Sequence, residues 1–248
     1  MPHRLFGHVD GADAGYSAAR WASDAKAAIA EALAEDRLPI LVGGTGLYLR
    51  TLLDGIAPVP AIDASVRAAV RALPVAQAHA ALMVEDPEAA ARLNPADTTR
   101  VARALEVVRS TGRPLAAWQA HRHGGIADTI DPRALVLLPD RDWLFARIDA
   151  RFADMLATGL EEVAALVART DLAADAPIRR AIGVPEATAL LAGHLSPDEA
   201  AAAGALATRR YAKRQYTWFR NQLDDHWHRI PDHDNETRRN AADILLRN

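Results

Sequence analysis

From Ser196 to past Arg220 the chain spells out one long helix, and this stretch restricts the fold more than any other. Ser196-Pro197-Asp198-Glu199 is a start signal: a hydroxyl cap, a proline at the first helical position and a glutamate placed to close a capping box. No proline follows for over twenty residues, and from Thr208 to Arg220 there is no glycine either, so nothing stops the helix. This second half carries Arg209, Arg210, Lys213, Arg214 and Arg220 with no acidic residue, interleaved with Tyr211, Tyr216, Trp218 and Phe219. At helical spacing Arg209, Lys213, Tyr216 and Arg220 share one face, while Tyr211, Trp218 and Gln222 fall on another. Like charges three and four residues apart cost a few tenths of a kcal/mol per pair unless an anion lies opposite. Phosphate suits them, because arginine forks match its oxygens and aromatic faces stack on bases. A solvated basic helix whose aromatics pack on the core fits the same residues.

The remaining chain reads as helix-rich α/β. Ser17 to Glu35 is an alanine-rich helix with Trp21, Ala25, Ile29 and Leu33 towards one side. Leu38-Pro39-Ile40-Leu41-Val42 is a short apolar run of the kind that forms a buried parallel strand. It ends in Gly43-Gly44-Thr45-Gly46, after which Leu47-Tyr48-Leu49 opens a helix. In such a strand–turn–helix layout ligands sit at the carboxyl end of the strand, and glycines let backbone N–H groups come close to them. From Pro58 to about His123 the chain is helical, with start signals at Asp63, at Asp86-Pro87-Glu88 and at Asn94-Pro95-Ala96-Asp97. Arg100 and Arg103 share a face of the helix that follows, and Val101, Leu105 and Val108 form its apolar stripe. Arg103 is also placed to pair with Glu106 as a surface salt bridge. Ala134-Leu135-Val136-Leu137-Leu138 is a second strand. Pro139-Asp140 then starts a helix that turns Trp143, Phe145, Ile148, Phe152, Met155 and Leu156 inward. Arg147 and Arg151 lie four apart on it, as an anion clamp or as a solvated pair. Residues 231–248 read as a polar tail with an apolar end at Ile244-Leu245-Leu246.

Composition narrows the class. The 248 residues contain no cysteine, which excludes disulfides and thiolate metal sites. His121 and His123, two apart, cannot share a helix face and have no acidic neighbour; His226, His228 and His233 likewise make no metal site. No apolar run approaches the ~20 residues of a membrane span, and the N-terminus has no signal-peptide core. A soluble, cytoplasmic protein is expected. With a net charge of -3, any surface for nucleic acid must be local.

The literal order of residues adds a resemblance. Thr-Arg-x-x-Ala-Lys-Arg-Gln-x-Thr-Trp-Phe-Arg at 208–220 resembles the C-terminal signature of tRNA dimethylallyltransferases. Leu41-Val42-Gly43-Gly44-Thr45-Gly46-Leu47-Tyr48 resembles a second motif of that family, at the tRNA and target-base site. Asn94-Pro95-x-Asp97 with Arg100, Arg103-Ala104-Leu105-Glu106-Val107 and Thr111-Gly112-x-Pro114 resembles a third. The resemblance implies a P-loop NTPase-like α/β core over 1–57 and 130–248, with a helical tRNA-binding insertion over 58–129. It also implies transfer of a dimethylallyl group from dimethylallyl diphosphate to N6 of the adenosine beside the anticodon, by a monomer, with Mg2+. The tRNA-binding residues it implies are Thr45, Arg67, Arg100, Arg103, Arg180, Gly183, Lys213, Arg214, Gln215, Trp218 and Arg220, with Gly43 and Gly44 forming the turn near the base. Arg147-Ile148-x-x-Arg151-Phe152 resembles the segment near the pyrophosphate, which makes Arg147 and Arg151 the diphosphate candidates. Arg179-Arg180-Ala181-Ile182-Gly183 matches an Arg-x-x-Gly-Tyr stretch in part, because Val184 and Pro185 stand where the tyrosine and its neighbour are usual.

Family members begin with a strand, a Gly-x-x-x-x-Gly-Lys-Ser/Thr phosphate loop and an Asp-Ser segment that supplies the general base. None of these is written in the 248 residues. The resemblance therefore implies a leading βαβ stretch of roughly thirty or more residues, which would hold the diphosphate, an ATP-type phosphate loop and the ligands of Mg2+. On this reading the 248 residues are an N-terminally truncated, inactive form of a prenyltransferase, or one with a misplaced start; two further readings stand beside it, a tRNA-binding protein without catalysis and a helical α/β protein whose basic helix meets a protein partner.

Overall fold

The computed structural model describes residues 2–231 together with 234, 236, 237, 239, 240 and 243. His233 and the apolar end at Ile244-Leu245-Leu246 lie outside the described residues. The fold is helix-rich α/β with a small parallel sheet. The chain divides into two compact units, one made of Met1–Leu49 and Asp131–Asn248, the other of Arg50–Ile130.

In the first unit, α1 spans Ala18–Ala34, capped by the hydroxyl of Ser17, which accepts from the Arg20 N–H. Strand β1 is Leu135–Leu137, and it pairs in parallel with β2, His228–Ile230, so that Val136 lies beside Arg229. The partner strand was not legible in the sequence, because His228-Arg229-Ile230 has neither alternation nor length. The Asp140 carboxylate caps α8, Arg141–Ala168, by accepting from the Asp142 and Trp143 N–H groups. After a 3-10 turn at Pro177–Arg180 come α9, Val184–Leu191, and α10, Pro197–Gln222. Phe152, Leu156, Ala187, Ala200 and Ala205 bury one another where α8, α9 and α10 meet. Gly204 makes that crossing close: a Cβ there would sit 1.9 Å from Cζ of Phe152. Met155, expected inward, is exposed.

The capping box at the start of α10 is present as written. The Ser196 hydroxyl accepts from the Glu199 N–H, and the Glu199 carboxylate accepts from the Ser196 N–H and hydroxyl. These donors hold the Glu199 carboxyl below its usual pKa, the backbone N–H contributing most. A depressed pKa stabilises the fold above the unfolded-state value and loses that contribution as pH falls through the folded one. Acid unfolding of a Glu199→Gln variant, followed by circular dichroism, is therefore expected to depend less steeply on pH below about 4.5 than that of the parent.

The segment Leu38–Val42 is not a strand. Its backbone is irregular, and Leu38, Ile40, Leu41 and Val42 are exposed, Val42 to 79%. A parallel strand needs hydrogen-bonding neighbours and cover on both faces, and no described residue pairs with this run.

The second unit is helical. It contains α3, Ala64–Arg71; α4, Val75–Glu85; α5, Pro87–Arg92; α6, Thr98–Thr111; and α7, Leu115–Gln119. The helix between α1 and α3, α2 (Gly46–Leu53), carries the chain into it. Val70, Leu82, Val101 and Leu105 are fully buried where α3, α4 and α6 pack. Asp63 and Asp86 cap α3 and α5 as expected. For α6 the cap is Asp97 rather than Asn94, whose side chain instead closes a turn on the Ala96 N–H at 2.9 Å. Entry and exit of this unit are fastened together: Ile56 and His123 exchange both backbone hydrogen bonds, at 3.0 and 3.1 Å, and the Ile126 N–H donates to the Leu52 carbonyl. Gly55 and Gly125 let the segments approach, since a Cβ on either would meet backbone atoms at 2.3 or 2.2 Å.

Candidate nucleic-acid interface

The Gly43–Gly46 loop lies against one stripe of α10. The Gln215 amide donates to the Gly44 carbonyl at 2.8 Å. The Thr45 hydroxyl is 3.4 Å from the Tyr211 hydroxyl, and the Trp218 indole fills the space where Gly46 has no side chain, 2.2 Å from an ideal Cβ. Tyr211, Gln215 and Trp218 stand at i, i+4 and i+7, one helical face. Helical spacing alone puts Tyr211 and Trp218 together; the structure adds Gln215 and gives it a backbone carbonyl to hold. The loop is thus presented by the helix, and its glycines are needed for contact: Gly44 also has the Gln215 amide where its Cβ would be.

Away from that stripe the helix is basic. Arg210, Lys213, Arg214 and Arg220 are exposed, and Arg214 lies 5.4 Å over the Tyr211 ring. Among the described residues Arg210, Lys213 and Arg220 have no ion-pair partner. Arg209 differs from its neighbours. Its Nη1 donates to both oxygens of Asp149 on α8, at 2.7 and 2.6 Å, so an acidic partner invisible along the helix itself neutralises it. The repulsion expected of the run is relieved at that one position and persists at the others.

Beside the stripe is a cavity of about 410 Å3, walled by Leu138, Ile148, Arg151, Tyr211, Tyr216 and Phe219 among others. Arg151 reaches it. Arg147 lies over the Trp143 ring at 5.4 Å instead. Arg180 is exposed at the end of its 3-10 turn, and Gly183 has φ +105° at the start of α9, where its N–H donates to Glu186 at 2.9 Å. Val184 and Pro185 form the first turn of that helix, so the positions that depart from the resemblance have a local structural task.

In the second unit Arg67 is exposed on α3, and Arg100 on α6 sits 3.6 Å from the Asp97 carboxylate. Arg103 approaches Glu106 at 3.9 Å, but this is not the surface pair expected, because Glu106 is only 2% exposed. Arg71, which no motif singles out, donates from Nε to the same carboxylate at 2.9 Å. A glutamate beside the apolar stripe of α6, and an arginine four residues beyond Arg67, were the signals available for it.

Residues 1–222 match the family described as IPP transferase. The chain belongs to the IPP transferase family. Among its relatives, the tRNA dimethylallyltransferase of Sphingopyxis alaskensis is 65% identical over 230 residues, which cover 92% of this chain and 74% of that one. The solved full-length tRNA isopentenylpyrophosphate transferase of Bacillus halodurans superposes with a TM-score of 0.63 at 32% identity, covering 99% of this chain and 77% of that one. A eukaryotic dimethylallyltransferase solved in snapshots of its action on tRNA gives a TM-score of 0.78 at 22% identity, over 99% and 64% of the two chains, and so shares the fold. Within an IPP transferase of this kind, the loop and α10 fall in the matched region, whereas Asp234 and the residues after it lie beyond it.

Proposed function

We propose that these residues hold the anticodon stem-loop of a tRNA for dimethylallyl transfer to N6 of the adenosine beside the anticodon. In that reaction the N6 lone pair forms a bond to the allylic carbon of dimethylallyl diphosphate, the carbon–oxygen bond breaks, pyrophosphate leaves and N6 loses a proton. The observation that carries this reading is the seating of Gly43-Gly44-Thr45-Gly46 on Tyr211, Gln215 and Trp218. It places a hydroxyl and a backbone free of side chains beside an exposed basic helix, the combination needed to approach a flipped base while gripping its phosphates. Lys213, Arg214 and Arg220 take backbone phosphates, Thr45 stands nearest the base, and Arg151 is the better placed of the two diphosphate candidates. Arg67, Arg100 and Arg103 give the Arg50–Ile130 unit a second surface for RNA. Among the described residues no helix is long and apolar enough to cross a membrane, and we place the protein, as a monomer, in the cytoplasm with its RNA.

Among the described residues no group of three or more His, Cys, Asp or Glu is gathered, so they offer no all-protein cage for Mg2+, an ion that more often takes one or two carboxylates and the phosphates of its substrate. A tRNA-binding role without catalysis is the second reading, because the exposed cations of α10 can hold phosphate whether or not a prenyl group is transferred. One pair of measurements separates them. An anticodon stem-loop RNA is titrated into the protein, and the same mixture is then given labelled dimethylallyl diphosphate and Mg2+. Binding without label on the RNA is expected from these residues alone, since positioning without charge stabilisation of the leaving group does not turn over. Absence of binding sinks the RNA reading, and robust labelling sinks the non-catalytic one.

A further inference from the structure

Among the described residues two acidic side chains are buried: Asp86, 4% exposed, which caps α5, and Glu106, 2% exposed, which caps nothing and lies on α6 with the buried Val101, Leu105 and Val107. An isolated carboxylate there would be expensive, and even a paired one gives little net stability compared with an apolar residue of the same volume. Stability alone therefore gives no reason for it. Its partners are unusual in a different way. The Arg71 side chain is 67% exposed and Arg103 43%, although both are drawn towards the buried carboxylate. Arg71 uses Nε, at 2.9 Å, and its remaining guanidinium N–H groups make no other hydrogen bond among the described residues. Arg103 stands at ion-pair distance without a hydrogen bond.

We infer that Glu106 is a positioning residue for RNA: its buried carboxylate brings Arg71 of α3 and Arg103 of α6 to one point, where their outward N–H groups grip backbone phosphate together. This rests on the proposal that the protein holds a tRNA stem-loop, and adds Arg71 and Glu106 to the residues that do so. A guanidinium hydrogen-bonded from below, as Arg71 is, and a second drawn to the same charge, as Arg103 is, lose less freedom on meeting a phosphate than two free side chains. Arg67, one turn before Arg71, and Arg100, three residues before Arg103, extend the same basic surface along each helix.

The test exploits a difference in sign. Glu106→Gln removes a negative charge, so attraction between net charges alone would tighten RNA binding and steepen its salt dependence. Positioning requires the opposite: stem-loop affinity about tenfold weaker, with the slope of log K against log[salt] lower by about one. Arg71→Lys keeps the charge, changes only an exposed side chain, and is expected to weaken binding several-fold because an ammonium cannot keep one N–H on Glu106 and present a fork outward. It reads the proposal even if the Glu106→Gln protein folds poorly. Glu106→Gln in an Arg71→Lys background should cost less than it does alone. Binding as tight as the parent's in Arg71→Lys, or tighter in a folded Glu106→Gln variant, overturns the inference. If the parent binds stem-loop and loses it on Lys213→Ala with Arg214→Ala, while Arg71→Lys and Glu106→Gln bind normally, the positioning role fails and RNA holding by α10 stands. If the parent binds no RNA, both fail together.

Discussion

Gly204→Val is expected to lower the melting temperature by roughly 6–12 °C. Any Cβ at this position would lie 1.9, 2.3 and 2.6 Å from ring atoms of Phe152, which is itself 5% exposed and cannot swing into solvent. Overfilling such a contact costs about 1–3 kcal/mol, and valine, with its stiff branched side chain, belongs at the upper end. For a chain of this size about 3 kcal/mol corresponds to that shift. Alanine should do less harm, because its helix propensity, about 1 kcal/mol better than glycine's, offsets part of the clash. A thermal melt of Gly204→Ala, Phe152→Leu and the double variant shows whether the ring is the cause. If it is, the double variant is more stable than the sum of the single changes implies. Additive losses would mean that glycine is needed here for some reason other than the crossing of α8 and α10.

Changing Lys213 and Arg214 together to alanine is expected to weaken stem-loop binding roughly 25- to 60-fold at about 0.1 M salt. Each phosphate gripped releases counterions worth about 0.7–0.9 in the slope of log K against log[salt], so removing both cations lowers the slope by roughly 1.4–1.8. Fluorescence titrations of labelled stem-loop at four or five salt concentrations give both numbers. Two controls distinguish phosphate contact from general damage. Thr45→Val should leave the slope alone, because a hydroxyl beside Tyr211 releases no ions. Arg209→Ala should also leave it nearly unchanged, since that guanidinium is already held by Asp149. Its removal is expected to appear in the melt instead, as a broken tie between α8 and α10. A double variant with undiminished affinity and slope in a folded protein would make the basic face of α10 structural.

Most of what was legible in the sequence was local. Asp63, Asp86, Asp140 and Ser196 each cap the helix expected of them, because a cap is decided by a side chain and N–H groups two or three residues away. The strand at Leu135–Leu137 was legible for its apolar run. The expected strand at Leu38–Val42 failed although its composition is as good, because a strand exists only by pairing and pairing is not a property of the run. The site divides the same way. The face shared by Tyr211 and Trp218 follows from helical period, and the glycine turn follows from its letters. That Gln215 holds Gly44, that Asp149 quiets Arg209, and that Glu106 serves Arg71 from the adjacent helix are contacts across 171, 60 and 35 positions. Local residue patterns do not encode such distances.

The exchange of hydrogen bonds between Ile56 and His123 has a consequence for the chain as a piece of genetic material. Where a polypeptide leaves a body and returns to it through two segments sewn side by side, everything between them is a cassette whose ends already meet. Such a cassette can be lengthened, exchanged or removed without asking the host sheet and helices to bridge a gap, and its own ends can be joined by a turn of a few residues. Gly55 and Gly125 are the stitches, since a side chain on either would force the seam open. Variation in length among IPP transferases should therefore collect between these two glycines and spare the seam itself.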